Sequence, residues 1–442
     1  MHETIFALSS GILPSGVAVI RLSGKETRTV LESLGGGKIT PRFMHYRVLK
    51  NKKGQVLDHG LVVYFPAPHS FTGEDCGEFH LHGGKAVVNR FLDELLTFNN
   101  CRLAEAGEFS RRAFALGKID LTQAEGLADL IAAETESQRR LAIMGASGEL
   151  ATLYRNWRKK LIRARAMIEA ELDFSDEEDI HEELSTPIWA EIAALTASIK
   201  AHVEAGERAG AMRDGLKIVL AGAPNAGKSS IINRLTGRLV ALVTPEAGTT
   251  RDALEVRLIL EGIPLLITDT AGLRETTNTI EQLGIEAAHR RIEEADLILL
   301  VEDIYNPKPI ALPSVSAPIW RLGNKLDLGT LSNKDKIKRR PYDCVFSALN
   351  GAGFNTFIDK LAAFCKEKIT FIGEAVPARK RQRELLLTSC REMESALGMT
   401  GYDLSLRAEH LRRAADTLGR ITGEIDVEDL LDVIFSEFCI GK

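Results

Sequence analysis

The chain has 442 residues, of which 45% are hydrophobic, 26% charged and 6% aromatic, and its formal net charge is −5. This length exceeds one ordinary hydrophobic core, so we expect about two to four domains. The acidic balance argues against a protein coated with basic residues for nucleic-acid binding, although it is compatible with local basic patches.

Membrane insertion and a disulfide framework are not expected. No apolar run in the sequence approaches the roughly 18 residues that a membrane-spanning helix needs. The six cysteines are scattered without CxxC spacing, which is typical of reduced thiols. We therefore expect a cytoplasmic protein without a membrane partner.

Residues 1–117 are predicted to form a strand-rich α+β domain. Residues 17–22 and 60–65 are apolar runs bounded by glycine or proline, as in buried strands. Residues 71–84 predict a turn, an alternating strand and a second turn. His80 and His82 share one face of that strand, so they are either two ligands of a metal site without a nearby third ligand or two satisfied surface histidines.

The periodicity becomes helical over residues 118–212, where three helices can be traced by their apolar positions and an acidic run at residues 173–179 separates the second from the third. Residues 213–373 then alternate strands and helices. Helical spacing returns over residues 374–442, where a last helix is predicted to begin at Asp426. The simplest architecture is a discontinuous helical domain with a nucleotide-binding domain inserted into it.

The inserted block opens with a glycine-rich loop between an apolar strand and a helix. Residues 222–230 read Gly-Ala-Pro-Asn-Ala-Gly-Lys-Ser-Ser, the pattern of a phosphate-binding P-loop. Backbone N–H groups and the helix N-terminus suit phosphate oxygens, Lys228 the β- and γ-phosphates, and the Ser229 hydroxyl a magnesium ion. An ordinary strand-to-helix turn is the alternative. The predicted phosphate contacts are Asn225, Ala226, Gly227, Lys228, Ser229 and Ser230.

Three later motifs predict that the nucleotide is GTP. A strand ends in the DxxG motif, whose aspartate can hold the water shell of magnesium and whose glycine can sense the γ-phosphate. A second strand ends in Asn-Lys-Leu-Asp, and Asp327 can accept hydrogen bonds from the guanine N1–H and 2-amino group. After a third strand, the Ser347-Ala348 backbone can reach the guanine O6. The predicted contacts are Asp269, Thr270, Ala271, Gly272, Asn324, Lys325, Leu326, Asp327, Ser347, Ala348 and Leu349.

The means of hydrolysis differs from that of a Ras-like GTPase. Leu273 stands where such an enzyme has the glutamine that orients the attacking water. The switch loop is predicted around Thr250, which would be the second magnesium ligand. Asn225 is a polar side chain beside the phosphates and would help to bind a monovalent cation that neutralises charge developing there.

Taken together, these motifs resemble the tRNA modification GTPase family MnmE, also called TrmE. The resemblance extends beyond the nucleotide-binding block to residues 71–75, 104–109 and 117–125 and to the terminal Cys-Ile-Gly-Lys of residues 439–442. It covers essentially the whole chain.

The resemblance implies a multidomain α/β and all-α protein. Its parts would be an N-terminal tetrahydrofolate-binding and dimerisation domain (1–117), a helical domain in two parts (118–212 and 374–442) and an inserted Ras-like G domain (213–373). It implies a homodimer that forms a heterotetramer with a flavin-dependent partner, MnmG (GidA), so that FAD is bound by the partner only. Together they would form 5-carboxymethylaminomethyluridine or 5-aminomethyluridine at the wobble position of certain tRNAs. The one-carbon unit would come from a 5-formyl or 5,10-methylene tetrahydrofolate.

The resemblance also implies roles for individual residues. Glu281 would be the catalytic residue that orients water. The potassium ligands would be Asn225, Thr244, Glu246 and Thr249, within a loop formed by Thr244, Pro245, Glu246, Ala247, Gly248, Thr249 and Thr250. The folate contacts would be Arg21, Glu78, Lys118 and Lys442, because a carboxylate suits a pterin edge and basic side chains suit a glutamate tail. The sequence departs from the family pattern at Pro245, Glu246, Leu349 and Ala223.

Some alternatives stay open at this point. The G motifs alone fit equally a GTP-dependent binding switch of the ribosome-assembly type, without modification chemistry. Cys439 is either a reactive thiol near the folate or the last apolar position of a helix. The basic runs at 158–160 and 379–383 either bind tRNA phosphates or form solvated helix faces.

Overall fold

The computed structural model describes most of the chain. The described residues are 3–173, 186–242, 255–269, 290–310, 312–329, 341–369, 373–399, 404–425, 428–436, 438 and 441. They divide into two units, one formed by Met1–Ile131, Met144–Thr196 and Thr388–Lys442 and the other by Ala132–Ile143 and Ala197–Leu387. Within these described ranges, no helix is long and apolar enough to cross a membrane.

The N-terminal part of the first unit is a sheet covered by helices. Its elements are β1 (Thr4–Leu8), β2 (Ser15–Ser23), α1 (Thr27–Leu34), β3 (His45–Lys50), β4 (Val56–Phe65), β5 (Cys76–Gly83), α2 (Lys85–Leu95), β6 (Cys101–Leu103) and α3 (Glu108–Ala115). The strand order is β3-β4-β5-β2-β1-β6. Neighbouring strands are antiparallel except β1 and β6, which are parallel.

Alternation along β2 and β5 separates a core face from a polar face. Ile20 and Leu22 are fully buried, whereas Arg21 between them lies on the opposite face and pairs in register with Glu78 of β5. Phe79 of β5 joins the core and meets Phe91 of α2 edge to face, with ring centroids 4.8 Å apart. The period of two residues therefore places Arg21 and Glu78 on one surface of the sheet.

Helices follow from residue 121 onward: α4 (Leu121–Ala132), α5 (Glu136–Ala146), α6 (Glu149–Asp173) and α7 (Thr186–Asp214). The buried positions of α6 recur at helical spacing, at Leu150, Tyr154, Trp157, Leu161 and Ile168. The sequence predicts this helix from Leu150, Leu153, Trp157, Leu161 and Ile168. The structure differs at one position, because Leu153 is only half-buried and Tyr154 beside it is buried.

The second unit contains a mainly parallel sheet. Its elements are β7 (Leu216–Ala221), α8 (Lys228–Arg238), β8 (Val240–Leu242), β9 (Glu255–Leu260), β10 (Ile263–Asp269), β11 (Leu297–Asp303), β12 (Ile319–Asn324), β13 (Cys344–Val345) and α9 (Phe354–Lys368). The strand order is β13-β12-β11-β7-β10-β9-β8. β7, β10, β11, β12 and β13 run parallel, and β8 and β9 complete an antiparallel edge.

The parallel strands are almost continuously apolar, as in sheets that are covered on both faces. Ile218 and Leu220 of β7, Ile267 of β10 and Leu299 of β11 are fully buried. The carboxyl ends of these strands meet at one edge of the sheet, where open α/β folds bind their ligands. Asp269, Asp303 and Asn324 are the last residues of β10, β11 and β12.

Three further helices follow: α10 (Lys380–Gly398), α11 (Leu404–Thr422) and α12 (Glu428–Ser436). α11 packs along α6 in the first unit, and Leu411 and Leu418 of α11 are buried. α12 corresponds to the last predicted helix and is described from Glu428 onward. The predicted first residue of that helix, Asp426, lies outside the described residues.

Candidate functional site

The loop between β7 and α8 has a backbone that only certain residues adopt easily. Asn225 has a φ of +63° and Gly227 a φ of +97°, both in the left-handed region. A Cβ atom on Gly227 would lie 2.2 Å from Asn324 Nδ2. The glycine is therefore required by both the backbone conformation and the close approach of β12.

Lys228 and Asp269 lie together at the phosphate end of the site. They are 9% and 6% exposed, and Lys228 Nζ donates to the Gly222 carbonyl at 2.7 Å. Burial lowers the pKa of Lys228, and the Asp269 carboxylate opposes this effect. Burial raises the pKa of Asp269, and Lys228 and the Ser229 hydroxyl oppose it. The Gly222 carbonyl of the loop thus holds the Lys228 side chain over the loop. A phosphate oxygen is the partner that we expect to replace this carbonyl.

One carboxylate oxygen at this end lacks a protein partner. Asp269 Oδ1 is buried and accepts no hydrogen bond from the residues that the structure describes. A buried carboxylate oxygen without a donor is satisfied by a cation or by a water of its hydration shell. Together with the Ser229 hydroxyl beside it, this oxygen fits the ligand chemistry of magnesium, which prefers oxygen atoms.

Asn324 connects the base end of the site to the phosphate end. Its Nδ2 donates to the Ala226 carbonyl at 3.0 Å, and its Oδ1 accepts from the Ala348 N–H at 2.9 Å. Asn324 is 2% exposed. Its amide therefore links the P-loop, the end of β12 and the loop after β13 in one rigid arrangement.

The other residues that are predicted to contact the guanine base are also held by side-chain contacts. The Ser347 hydroxyl donates to Asp327 Oδ1, which leaves the other carboxylate oxygen of Asp327 for a ligand. Lys325 has a φ of +70°, and its Nζ pairs with Asp303 Oδ2 at 2.8 Å. Leu326 lies between Lys325 and Asp327 in the sequence, and Leu349 is 78% exposed. The described residues of four predicted motifs thus lie at one edge of the sheet, as expected for a guanine nucleotide.

A second group of predicted residues lies on the N-terminal sheet. Arg21 Nη2 lies 2.9 Å from Glu78 Oε1, and His80 Nε2 lies 3.2 Å from Glu78 Oε2. The hydrogen bond from His80 and then the Arg21 guanidinium hold the pKa of Glu78 below its usual value, and burial opposes them. Glu78 is therefore a half-buried carboxylate whose Oε1 accepts from both Nε and Nη2 of Arg21 and whose Oε2 faces His80.

The loop between β4 and β5 connects Arg21 to Lys118. The Arg21 guanidinium lies 5.7 Å from the centre of the Phe71 ring. Lys118 Nζ donates to the Pro68 carbonyl at 2.9 Å, and a Cβ atom on Gly73 would lie 3.2 Å from the Lys118 side chain. One short loop therefore separates the two basic residues.

The chain terminus returns to the same sheet. The Ser9 hydroxyl donates to the Gly441 carbonyl at 2.9 Å, and Gly441 has a φ of +100°. Ser9 immediately follows β1, whose Ala7 pairs in register with Arg21. Gly441 therefore lies near the edge of the surface that carries Arg21.

Two family models match the chain. Residues 4–118 match the family described as the GTP-binding protein TrmE N-terminus, and residues 121–439 match the MnmE helical domain. The chain belongs to the MnmE family of tRNA modification GTPases. The relatives agree with this assignment. The tRNA modification GTPase MnmE of Bartonella tribocorum (strain CIP 105476 / IBS 506) is 63% identical over 440 residues, which cover 100% of both chains.

More distant relatives have the same description. The tRNA modification GTPase MnmE of Brucella anthropi (strain ATCC 49188) is 52% identical over 442 residues, covering 100% of this chain and 99% of the relative. Among solved structures, a point variant of Aquifex aeolicus Era bound to GDP.AlF4- is 24% identical, covers 40% of this chain and 66% of that chain, and has a TM-score of 0.28. At that TM-score the likeness supports no argument about this chain.

MnmE membership decides between the two functions that the G motifs left open. The chain is a GTP-hydrolysing enzyme of tRNA modification and not a binding switch without such chemistry. The predicted fold class is confirmed, with an N-terminal α+β domain, a helical domain interrupted in sequence and an inserted P-loop GTPase domain. The boundaries 1–117, 118–212, 213–373 and 374–442 stay predictions.

Part of the predicted MnmE-type site lies outside the described residues. This holds for the switch and potassium loop, the end of the DxxG motif, the catalytic candidate and the terminal residues, namely Thr244, Pro245, Glu246, Ala247, Gly248, Thr249, Thr250, Thr270, Ala271, Gly272, Glu281, Cys439 and Lys442. The roles of these residues stay predictions, as do the roles of all the other predicted site residues.

The structure also shows the contacts of the histidine pair and of the two basic runs that the sequence singles out. His82 Nδ1 lies 2.8 Å from Asp58 Oδ1, and no group of three metal-ligating side chains occurs in the part of the chain that the structure describes. Arg158 of the first basic run pairs with Glu424 at 2.9 Å. Arg383 of the second run donates to the carbonyls of Gly206 and Pro377. Arg158 and Arg383 are therefore held by neighbouring protein groups, while Lys159 and Lys160 are exposed.

Sequence reasoning did not assign a role to Ser9, Asp303 or His80 in these sites. Ser9 and Asp303 contact residues distant in sequence, Gly441 and Lys325, whereas His80 contacts Glu78, two residues away on the same face of β5. A lone serine or aspartate after a strand has no local pattern that would reveal such a contact, so only the fold identifies it.

Proposed function

We propose that this MnmE-family protein is a potassium-activated GTPase that acts in the cytoplasm with a flavin-dependent partner, MnmG (GidA). Together they form 5-carboxymethylaminomethyluridine or 5-aminomethyluridine at the wobble position of certain tRNAs. The one-carbon unit comes from a tetrahydrofolate derivative bound by this chain, and FAD is bound by the partner. Two copies of this chain and the partner form a heterotetramer.

The observation that carries the folate part is the series of contacts on the N-terminal sheet. Glu78 presents a carboxylate to a pterin edge, whose N–H groups are donors. Arg21 and Lys118 flank the loop of Phe71 and are cations for the folate glutamate tail. The Ser9–Gly441 contact supports a place for Lys442 in the same pocket.

The homodimer is supported by an exposed apolar edge. β3 is the outer strand of the N-terminal sheet, and Phe43, Tyr46 and Val48 on and beside it are 61%, 67% and 37% exposed. An uncovered edge strand with aromatic side chains is a ready surface for pairing with a second copy.

In the G domain, Ser229 and Thr250 hold magnesium, and Lys228 and the P-loop amides bind the β- and γ-phosphates. Asn225, Thr244, Glu246 and Thr249 hold potassium, which supplies positive charge where the transition state develops negative charge. Glu281 orients the attacking water. The left-handed, exposed Asn225 supports this proposal because its side chain is free to turn towards a cation.

The decisive experiment for the modification chemistry is mass analysis of wobble nucleosides. In tRNA from a strain that lacks the gene, we expect uridines without the aminomethyl-type substituent, and we expect the wild-type gene but not Glu78→Gln to restore it. Normal nucleosides in the deletion strain would contradict the proposal. GTP hydrolysis by the Glu78→Gln protein shows that the G domain of that variant is intact.

The cation model is tested by GTP hydrolysis in potassium and in sodium. We expect sodium, or Asn225→Ala in potassium, to lower kcat by about 100-fold, the scale of one transition-state charge contact, while GTP still binds. Equal rates in both salts contradict the model. Glu281→Ala should lower kcat with little change in GTP affinity, the pattern of a contact made only in the transition state.

A further inference from the structure

Arg234 lies on α8, the helix that follows the P-loop, and its side chain reaches the loop that follows β13. Nε donates to the Ala348 carbonyl at 2.5 Å, and Nη2 donates to the Leu349 carbonyl. Arg234 is half-buried. Its described partners are thus two neutral carbonyls of the base-reading loop, which a guanidinium fork can hold at the same time.

The guanidinium is enclosed on two further sides. A Cβ atom on Gly351, whose φ is +88°, would lie 2.5 Å from Arg234 Nη1. On the other side, the Arg234 guanidinium lies 5.8 Å from the centre of the Phe354 ring, a cation–π distance. A side chain at position 351 would displace the end of this arginine, and the φ of +88° itself favours glycine there, so the loop and the arginine fit one another.

The hydrogen bonds to these two carbonyls help to fix the orientation of Ala348. Asn324 accepts from the Ala348 N–H and so holds the peptide plane before this residue. Arg234 holds the two peptide planes after it. Ala348 is therefore oriented from both sides, by the guanine motif on one side and by the phosphate-binding helix on the other.

The side chains between α8 and the loop after β13 leave open space, so packing alone does not hold this loop in place. A cavity of about 420 Å³ lies between α8 and the loop, and it is lined by Ser230, Asn233, Arg234, Gly237, Arg238, Ala348 and Leu349. Leu349 at the loop tip is 78% exposed. With open space beneath the tip, the Arg234 bonds are the direct link that the structure shows between α8 and this part of the loop.

We propose that Arg234 is a positioning residue for guanine recognition: it holds the Ala348 and Leu349 carbonyls and so keeps the backbone of the Ser347-Ala348 loop opposite the guanine O6 without touching the nucleotide. The proposal rests on GTP as the substrate and on the Ser347-Ala348 loop as the O6 contact. It predicts that Arg234 governs recognition at the 6-position of the base and not at the 2-position, which is the task of Asp327.

The test compares three diphosphates in the full-length protein. GDP has both O6 and the 2-amino group, inosine diphosphate lacks the 2-amino group, and 2-aminopurine riboside diphosphate lacks O6. For Arg234→Ala we expect GDP and inosine diphosphate to bind about 10-fold more weakly, the scale of one lost hydrogen bond. We expect the binding of 2-aminopurine riboside diphosphate to change little, because it has no O6 to lose.

Arg238→Ala is the matched control. Arg238 lies one turn further along α8, 5.7 Å from the same Phe354 ring, and it donates to the Asn355 side chain rather than to the loop carbonyls. We expect its three affinities to match those of the wild type. Arg234→Lys keeps the charge and one donor to the loop, so we expect an intermediate loss confined to the two nucleotides with O6.

Two results would overturn the proposal. One is an equal loss for all three nucleotides in Arg234→Ala with an unchanged thermal midpoint, and the other is the same change of preference in Arg238→Ala. If Arg234→Ala does not fold, Arg234→Lys and Arg234→Gln decide the question by the same comparison. A preference for GDP over the analogue without O6 that is as large in these variants as in the wild type would then reject the positioning role.

Discussion

Asn324 donates from Nδ2 to the Ala226 carbonyl at 3.0 Å, and this contact joins the end of β12, which is predicted to contact the base, to the P-loop, which is predicted to bind the phosphates. The same side chain accepts from Ala348 at 2.9 Å. One buried amide therefore links the end of β12, the P-loop and the loop after β13.

Asn324→Ala should remove both contacts and leave a buried carbonyl and a buried N–H without partners. Such a loss costs about 2 kcal/mol or more, so we expect GDP affinity to fall by at least about 30-fold. Titration with a fluorescent GDP analogue measures it. Asn233→Ala, at an exposed position of α8, should bind like the wild type, and a comparable loss there would remove the special role of Asn324.

Gly227→Ala should abolish nucleotide binding. A methyl group at this position would lie 2.2 Å from Asn324 Nδ2, and the φ of +97° is unfavourable for alanine. Calorimetry with GDP measures the loss.

The matched control for this change is Gly237→Ala, on the same helix. A Cβ atom on Gly237 meets no atom within 4 Å. Alanine in a helix is favoured over glycine by about 0.5–1 kcal/mol, so this variant should bind GDP normally and have an equal or higher thermal midpoint. Normal GDP binding by Gly227→Ala would show that the loop adapts.

Glu78→Gln should weaken the pH dependence of stability. In the folded protein, the hydrogen bond from His80 and then the charge of Arg21 hold the pKa of Glu78 below the usual value of 4.5. A depressed carboxyl pKa contributes stability that is fully present above about pH 4.5 and is lost as the pH falls through the folded-state pKa.

Thermal midpoints between neutral and acidic pH measure this contribution. We expect the midpoint of the wild type to fall more steeply than that of Glu78→Gln below about pH 4.5, and we expect the two curves to converge at low pH. Asp93→Asn, at an exposed position of α2, should keep the wild-type slope. Parallel curves for Glu78→Gln and the wild type would be evidence against the ionised pair.

Deleting residues 440–442 should weaken the binding of 5-formyltetrahydrofolate by about 10- to 100-fold, the scale of a partly buried charged contact. GTP hydrolysis should stay nearly unchanged, because the predicted G-domain motifs lie elsewhere in the chain. Calorimetry and phosphate release measure the two activities on the same preparation.

A milder variant tests the same contact without shortening the chain. Ser9→Ala removes the donor to the Gly441 carbonyl and should weaken folate binding by a smaller factor. Unchanged folate affinity in the truncated protein would reject the shared pocket. Loss of GTP hydrolysis would mean that the terminus stabilises the whole protein.

Much of the fold could be predicted from local pattern. The stripe of Leu150, Trp157 and Leu161 predicts α6, and the apolar run before Gly222 predicts β7, because both patterns depend only on residues near in sequence. The P-loop, Asn-Lys-Leu-Asp and Ser-Ala motifs likewise predict guanine nucleotide from adjacent residues, each after a strand.

The sequence by itself determined which segments are helix, strand or phosphate loop, and through its motifs it determined the family. The tertiary structure decided which side chains face one another: Asn324 with Ala226, Arg234 with Ala348, and Glu78 with Arg21. Such contacts join residues that are far apart in the chain, and their geometry depends on strand order and register. Neither quantity is encoded in the spacing of neighbouring residues, since register and order are set by the packing of whole strands and helices.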